Sequence, residues 1–247
     1  MVARHHRALA YPYDRPDFSY LFNDGKVRPL ESRTVDVATG RTAVLAFGSN
    51  AAPEQLVRKF GEIPGSVIPV VQAELADFDV VYSAHLTSYG TIPATLAPSP
   101  GTRLQTWVTW LDDDQLARMH ESETGTSWGA AVNYAFGYLQ DISLSLDVGA
   151  GVLKRVGAYL SNHGALALAP EPIAFDVIPA TVRSFESRSM PDILATANKS
   201  LAPSDSLDDF ITKAVEDPDL RARWTDSLRE AAHPLNIPNF SPDKSIS

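Results

Sequence analysis

Cysteine is absent from the chain, and this absence removes several kinds of chemistry at once. Disulfides, thiolate nucleophiles and cysteine-ligated metal sites are all excluded. The six histidines do not compensate, because none falls at a metal-ligand spacing and His120-Glu121 lacks the second histidine of a zinc-protease motif. Neither a dinucleotide fingerprint nor a phosphate-binding loop lies between Val44 and Pro53. We therefore expect no metal and no cofactor.

Long apolar runs and an excess of positive charge are missing as well. No run approaches the roughly 18 apolar residues of a membrane span, and the first residues lack the apolar region of a secretory signal. The formal net charge is −9 and the pI about 5.1, which argues against nucleic acid because such binding depends on clustered Lys and Arg. We expect a cytoplasmic protein with no membrane or nucleic-acid partner, and the sequence leaves its oligomeric state open.

The stretch from Thr42 to Phe60 predicts a buried strand, a turn and a helix. Residues 43–47 are apolar without interruption, which suits a strand that is covered on both faces. Gly48–Asn50 breaks the run, Pro53 fits an early helical position, and Gly61 supplies a stop. Such a turn leaves backbone N–H groups unpaired at a helix start, where they favour an anion such as a carboxylate.

A second informative stretch runs from Asp112 to Glu123 and predicts a helix. Asp112 and Gln115 match the capping-box spacing, and Leu116 and Met119 share the buried face. Glu123 then lies at or just beyond the end of the helix. A carboxylate at such a place is a candidate general acid or base, whereas Glu121, two residues earlier, does not share its helix face.

Strand signals dominate from residue 43 to residue 162, and helical signals follow. The predicted strands also include 66–82, with a kink, 104–110, 132–140 and 152–162, and Pro98–Gly101 is predicted to be a turn. The predicted later helices are Pro191–Lys199, Leu207–Glu216 and Asp219–Ala232. This order predicts an α+β fold, with a small curled mixed β-barrel and flanking helices.

The two ends of the chain differ from this central part. Residues 1–41 have weak periodicity and predict an N-terminal extension that aromatic side chains anchor on the main domain. Residues 42–232 would form that domain. Residues 233–247 are polar, carry proline and predict a loose C-terminal tail.

Several motifs, taken in their order, resemble the gamma-glutamyl cyclotransferase family. Its loop Tyr-Gly-Ser-Asn-Leu is similar to Phe47-Gly48-Ser49-Asn50-Ala51, and its Ala-x-Leu-x-Asp-Phe strand is similar to Ala73-Glu74-Leu75-Ala76-Asp77-Phe78. Its Leu-Asp-Glu-x-Glu-Gly segment is similar to Met119-His120-Glu121-Ser122-Glu123-Thr124. Further likenesses are Gly90–Leu96 followed by Ser99-Pro100-Gly101, the strand Ala158-Tyr159-Leu160 and the helix Pro218–Leu228. The resemblance covers residues 43–230.

The resemblance implies an intramolecular acyl transfer on a small-molecule gamma-glutamyl compound. In that reaction the alpha-amine of the substrate attacks its own gamma-carbonyl, forming 5-oxoproline and releasing an amine or amino acid, as in glutathione metabolism. Neither a protein nucleophile nor a metal is required, because positioning supplies much of the rate. By resemblance, Glu123 is the general acid/base, and Phe47, Gly48, Ser49, Asn50, Ala51 and Tyr159 bind the substrate.

The chain also departs from the family pattern. Phe47 replaces the signature tyrosine, Ala51 the usual leucine and Thr124 a glycine, and the tyrosine that follows the family's glutamate has only Trp128 or Tyr134 as an approximate counterpart. Two alternatives therefore stay open. One is a relative that has lost catalysis and serves as a binding or interaction module, with residues 1–41 as its contact surface. The other is an amide hydrolase on the same fold.

Overall fold

The computed structural model describes residues 2–30, 36–124, 133–148 and 151–244, so Trp128 lies outside the described residues. The strands are β1 (Tyr20–Asn23), β2 (Lys26–Pro29), β3 (Thr42–Leu45), β4 (Val67–Tyr82), β5 (Ala94–Leu111), β6 (Tyr134–Leu146), β7 (Val152–Ser161), β8 (Ala174–Phe175), β9 (Ala180–Thr181), β10 (Ser187–Arg188) and β11 (Phe240–Pro242). The helices are α1 (Val2–Leu9), α2 (Pro53–Phe60), α3 (Asp113–Thr124), α4 (Met190–Leu201), α5 (Leu207–Glu216) and α6 (Pro218–Ala231).

Five strands close into a mixed β-barrel. β4 pairs with β5 and β5 with β3, both antiparallel, and β3 then pairs with β7 in parallel. β7 continues antiparallel to β6, and β6 returns to β4 to close the circle. Helices flank this barrel, so the predicted α+β fold with a small curled mixed barrel is confirmed.

Both faces of β3 are covered, as its uninterrupted apolar sequence predicts. Val44 belongs to one buried cluster, together with Leu56 and Phe60 of α2. Leu45, its neighbour in the strand, belongs to the other cluster, which extends to α4, α5 and α6. Successive side chains of a strand point to opposite faces, so β3 contributes to both clusters. The residues that flank the next turn do so as well, since Phe47 belongs to the cluster of Leu45 and Ala51 to that of Val44.

The predicted turn at Pro98–Gly101 is wrong, because β5 continues through it. The pairing of β4 with β5 shifts register between Ala76 and Phe78 instead of stopping. Asp77 and Gly101 adopt positive φ angles of 65° and 84°, and Gly101 N–H donates to Asp77 Oδ1 at 2.8 Å. The proline- and glycine-rich residues therefore form a bulge within two long strands, which accounts for the predicted kink in 66–82.

The helix signals were more accurate than the turn signal. Asp112 N–H donates to Gln115 Oε1 at 3.1 Å and Gln115 N–H donates to Asp112 Oδ1 at 2.9 Å, so the capping box before α3 is confirmed. The three later helices also form where they are predicted, as α4, α5 and α6. Among the described residues, no helix combines the length and the apolar character needed to cross a membrane.

The N-terminal extension has regular structure of its own. It begins with α1 and continues into the hairpin of β1 and β2, and β1 pairs antiparallel with β4. Tyr11, Tyr13, Tyr20 and Phe22 are buried, whereas Phe18 is 40% exposed. Aromatic residues therefore anchor this segment on the barrel, and the domain boundary at residue 42 stays a prediction.

The C-terminal segment is more ordered than the loose tail that its composition predicts. β11 pairs antiparallel with β6, with Phe240 opposite Leu139. A Cβ atom on Gly137 would lie 2.6 Å from the ring of Phe240 and 2.5 Å from the carbonyl oxygen of Ser241. The bare backbone of Gly137 therefore allows the segment to approach β6, a contact between distant residues that composition does not reveal.

Candidate functional site

The turn after β3 has free donors. Ala46 N–H donates a hydrogen bond to Trp107 O at 2.8 Å. Ala52 N–H donates to Ser49 O at 2.9 Å, which closes a short 3-10 turn before α2. For the backbone N–H groups of Gly48, Ser49 and Asn50, the described part of the chain offers no acceptor. The unpaired donors that the sequence predicts are therefore present, on residues that are partly accessible to solvent.

The turn and the end of α3 are in direct contact. Asn50 Nδ2 donates to Glu123 Oε1 at 3.1 Å, although the two residues lie 73 positions apart in the chain. The Glu123 side chain is 17% exposed. Two features that the sequence suggested separately thus meet at one place.

Lys59 of α2 is a member of this cluster that the sequence reasoning missed. Its side chain is only 7% exposed and forms an ion pair with Glu123. Its Nζ also donates to Asn50 Oδ1 at 2.8 Å and lies 3.1 Å from Met119 Sδ. A signal was available, because Lys59 follows Leu56 by three positions and so shares the buried face of the helix.

Burial and pairing act on Lys59 in opposite directions. Burial disfavours the charged ammonium and lowers the pKa of Lys59, while the charge and the hydrogen bond of Glu123 raise it again. Burial is the largest of these effects, so the net direction is downward. Asn50, Lys59 and Glu123 thus form a compact polar triad in a mostly apolar setting, and each member contacts the other two.

The charge of Glu123 acts on four tyrosine side chains. Burial raises the pKa of Tyr11, Tyr89, Tyr134 and Tyr159, and the negative charge of Glu123 raises each further. All four phenols are therefore neutral at physiological pH and can act as hydrogen-bond donors. Tyr134 donates to Ala94 O at 3.0 Å.

Tyr159 is the strand residue that the sequence assigns to substrate binding. It lies in the cluster of buried residues that also contains Met119 and Phe60. Its hydroxyl forms a hydrogen bond with Nδ1 of His120 at 2.7 Å. Its place near Glu123 suits the predicted role, which stays a prediction.

The N-terminal extension reaches the turn. The Tyr11 hydroxyl accepts a hydrogen bond from Ala94 N–H at 3.1 Å, and a Cβ atom on Gly48 would lie 2.7 Å from that hydroxyl. Arg15 Nη1 donates to Gly48 O at 3.5 Å, and the guanidinium lies 4.6 Å from the ring centre of Trp107. Residues far outside the sequence motifs therefore form one wall of the candidate site.

Phe47 and Ala51, which the sequence also assigns to the site, are buried, whereas Glu121, which it does not assign to the site, is exposed. Phe47 is 6% exposed and lies in the larger buried cluster. Ala51 is fully buried, and its carbonyl accepts a hydrogen bond from Tyr20 at 2.6 Å. Glu121 is exposed and pairs with Arg118 at 3.2 Å. The roles of Phe47 and Ala51 in substrate binding stay predictions.

No group of three or more His, Asp or Glu residues could hold a metal ion within the ranges that the structure describes. A cavity of about 500 Å³ is lined by Arg7, Ser88, Tyr89, Val215 and Glu216. Tyr89 is one of the four tyrosines described above, but the residues that line this cavity include none of the turn and none of α3. The candidate site is the place where the side chains of Asn50, Lys59 and Glu123 converge.

Comparison with known proteins gives likenesses of structure only. No protein-family model matches the chain, and no curated protein matches it. A structure of gamma-glutamyl cyclotransferase is 15% identical, with a TM-score of 0.39, over 83% of this chain and 95% of that one. A human protein described as uncharacterized is 16% identical, with a TM-score of 0.39, over 84% and 96% of the two chains.

A protein of Arabidopsis thaliana, solved in solution, is 16% identical, with a TM-score of 0.36, over 50% of this chain and 70% of that one. The family that the sequence motifs resemble is thus among the structures found. At these identities and TM-scores the likenesses carry no argument about activity, which has to be inferred from the site itself.

Proposed function

We propose that the chain is an acyl-transfer enzyme of the gamma-glutamyl cyclotransferase type. The alpha-nitrogen of a gamma-glutamyl compound forms a bond to the carbon of the gamma-carbonyl, the bond from that carbonyl carbon to the leaving nitrogen breaks, and 5-oxoproline results. Of the three protons on the substrate's alpha-ammonium, one stays on the ring nitrogen and two end on the leaving nitrogen, which departs as a protonated amine. The reaction needs a folded substrate and one group that moves a proton.

The contact between Asn50 and Glu123, at 3.1 Å, carries the proposal. It sets the candidate acid/base beside a turn whose backbone N–H groups have no acceptor among the described residues. Glu123 would take the proton from the substrate's ammonium and return it to the leaving nitrogen. Donors of Gly48 and Ser49 would hold the substrate and stabilise the oxyanion that develops on the gamma-carbonyl.

Lys59 adds a condition to this mechanism. Its ammonium already pairs with Glu123, so the substrate's ammonium would compete with it for the same carboxylate. The proposed reaction therefore includes a shift of Lys59 from Glu123 towards Asn50, whose Oδ1 it already contacts at 2.8 Å.

The same ion pair supports a second candidate function. A carboxylate that is committed to a buried lysine can serve structure alone, and the chain would then be a small-molecule binding or interaction module. An amide hydrolase is the third possibility, since the free N–H groups of the turn could also stabilise a hydrolytic intermediate. The three differ in what they do to substrates with and without an alpha-amine.

The test uses pairs of matched amides. Purified protein is incubated with gamma-glutamyl-alanine and gamma-glutamyl-ethylamide, and with glutaryl-alanine and glutaryl-ethylamide, which lack the alpha-amine. The proposal predicts 5-oxoproline from at least one gamma-glutamyl compound and no product from the glutaryl pair. Cleavage of a glutaryl amide would favour a hydrolase, and binding of these compounds without any product would favour the binding module.

A further inference from the structure

Among the residues that the structure describes, Arg15 is a cation without an anionic partner. It is half-buried beside the turn, and its one hydrogen bond, to Gly48 O, is long at 3.5 Å. Nowhere in the described ranges does a carboxylate pair with it, and its neighbours Asp14 and Asp17 are exposed. A guanidinium has five N–H donors, so most of the hydrogen-bonding capacity of Arg15 is unused.

The environment keeps this cation charged but poorly solvated. Burial lowers the pKa of Arg15 to about 10, while nearby Tyr11 and Tyr20 raise it slightly. The group therefore stays protonated at neutral pH, and one face of it lies over the ring of Trp107 at 4.6 Å. A partly desolvated guanidinium gains more from an incoming anion than an exposed one does.

Tyr11 links Arg15 to the triad. Besides burial, the largest cause of its raised pKa, the Tyr11 phenol experiences the charge of Glu123 in one direction and that of Arg15 in the other. Its hydroxyl lies next to Gly48. Arg15 contacts Gly48 at 3.5 Å and Glu123 contacts Asn50 at 3.1 Å. A positive and a negative group therefore lie against the same short turn, an arrangement that complements a small zwitterion.

We infer that Arg15 binds the alpha-carboxylate of the glutamyl group, while the neighbouring alpha-ammonium faces Glu123. The inference rests on the proposed function, because it takes the substrate to be a gamma-glutamyl compound. It makes the N-terminal extension part of the binding site. Arginine suits the task because its planar fork matches a carboxylate with two parallel hydrogen bonds.

A purely structural role for Arg15 is the competing explanation. The stacking on Trp107 and the bond to Gly48 O could serve only to fasten the N-terminal extension. That role affects stability, but it does not distinguish a ligand with a carboxylate from the same ligand without one. The distinction between the two roles therefore lies in ligand selectivity.

The experiment measures binding without turnover. Glutaryl-ethylamide keeps the carboxylate at the alpha-position and cannot cyclise, and butyryl-ethylamide lacks that carboxylate. Isothermal titration is run with both amides on the wild type, on Arg15→Gln and Arg15→Lys, and on Arg28→Gln, an exposed arginine of the same extension, as control. Thermal unfolding of each variant verifies that it is folded.

We expect the wild type and Arg28→Gln to prefer glutaryl-ethylamide, and Arg15→Gln to lose about tenfold or more of that preference, the usual effect of a hydrogen bond to a charged group. Arg15→Lys should keep part of it. An unchanged preference in folded Arg15→Gln, or no preference in the wild type, would overturn the inference. A preference that depends on Arg15 in a protein that yields no 5-oxoproline would keep the carboxylate site and reject only the proposed reaction.

Discussion

Lys59 and Glu123 form a buried ion pair between α2 and the end of α3, across 64 positions of sequence. Asn50 bonds to both partners, donating to Glu123 at 3.1 Å and accepting from Lys59 at 2.8 Å. Charges are rarely buried unless they are paired and hydrogen-bonded. The triad therefore holds the turn, α2 and α3 in fixed positions relative to one another. Its members are the first residues to replace by mutagenesis.

Replacing Lys59 with Met should destabilise the protein, because it leaves the Glu123 carboxylate without a cation. Removing one partner of a buried pair costs about 3 kcal/mol in free energy of unfolding, and the partial exposure of Glu123 places the cost at the lower end. Urea denaturation measures it. Arg58→Met is the control, since Arg58 is exposed and adjacent on the same helix. An equal loss in both variants would contradict the expectation.

Removing both charges should be milder than removing one. In the double variant Lys59→Met with Glu123→Gln, no unpaired charge remains in the site, and such replacements are often close to neutral. The double variant should thus be more stable than Lys59→Met alone. If the losses of the two single variants simply added, the residues would not be coupled.

Gly48 and Tyr11 should show steric coupling. A Cβ atom at position 48 would lie 2.7 Å from the Tyr11 hydroxyl and 3.5 Å from Ala94 Cβ. Gly48→Ala should therefore cost about 1–3 kcal/mol in free energy of unfolding, and part of this cost should vanish when Tyr11→Phe removes the hydroxyl. A double-mutant cycle measures the coupling energy between the two positions. A coupling energy of zero would mean that the Tyr11 hydroxyl does not restrict the space at position 48.

The loss of folding stability at acidic pH should depend in part on His85. This residue is buried, and burial, with a smaller effect of His163, holds its pKa well below 6.5. Within the described part of the chain, its Nε2 has no hydrogen-bond partner, while its Nδ1 bonds to Ser83 at 2.7 Å. The folded protein therefore resists protonation at a site that the unfolded chain protonates readily.

The sign follows from this difference. As the pH falls below about 6.5 the unfolded chain takes up a proton that the folded chain refuses, so stability decreases, by at most about 1.4 kcal/mol per pH unit for one group. His85→Asn should flatten the decrease measured between pH 7 and pH 5, and His6→Asn, at an exposed position, should not. Identical slopes in wild type and His85→Asn would show that His85 does not carry the effect.

Local chemistry made part of the structure predictable. The capping box of Asp112 and Gln115, the apolar run of β3 and the proline at the start of α2 each act within a few residues, so their signals lie in the sequence itself. The turn predicted at Pro98–Gly101 is wrong because proline and glycine also occur in β-bulges. Only the pairing with the neighbouring strand distinguishes a bulge from a turn.

Contacts between distant residues were harder to predict. The closure of the barrel from β6 to β4 and the approach of Tyr11 and Arg15 to Gly48 depend on packing that no local pattern encodes. Lys59 was missed for a different reason. Lysine is rarely buried. A lysine on the apolar face of a helix therefore does not by itself predict a buried partner of opposite charge.

The role of Glu123 as acid/base is the central claim, and the rate of 5-oxoproline release by Glu123→Gln tests it most directly. Glu121→Gln, an exposed change on the same helix, is the control, and urea denaturation of the same samples confirms that each variant is folded. We predict that Glu123→Gln lowers kcat by about 10² to 10⁴, the usual contribution of general acid–base catalysis, while Glu121→Gln keeps the wild-type rate. A folded Glu123→Gln variant that releases 5-oxoproline at the wild-type rate would contradict the claim.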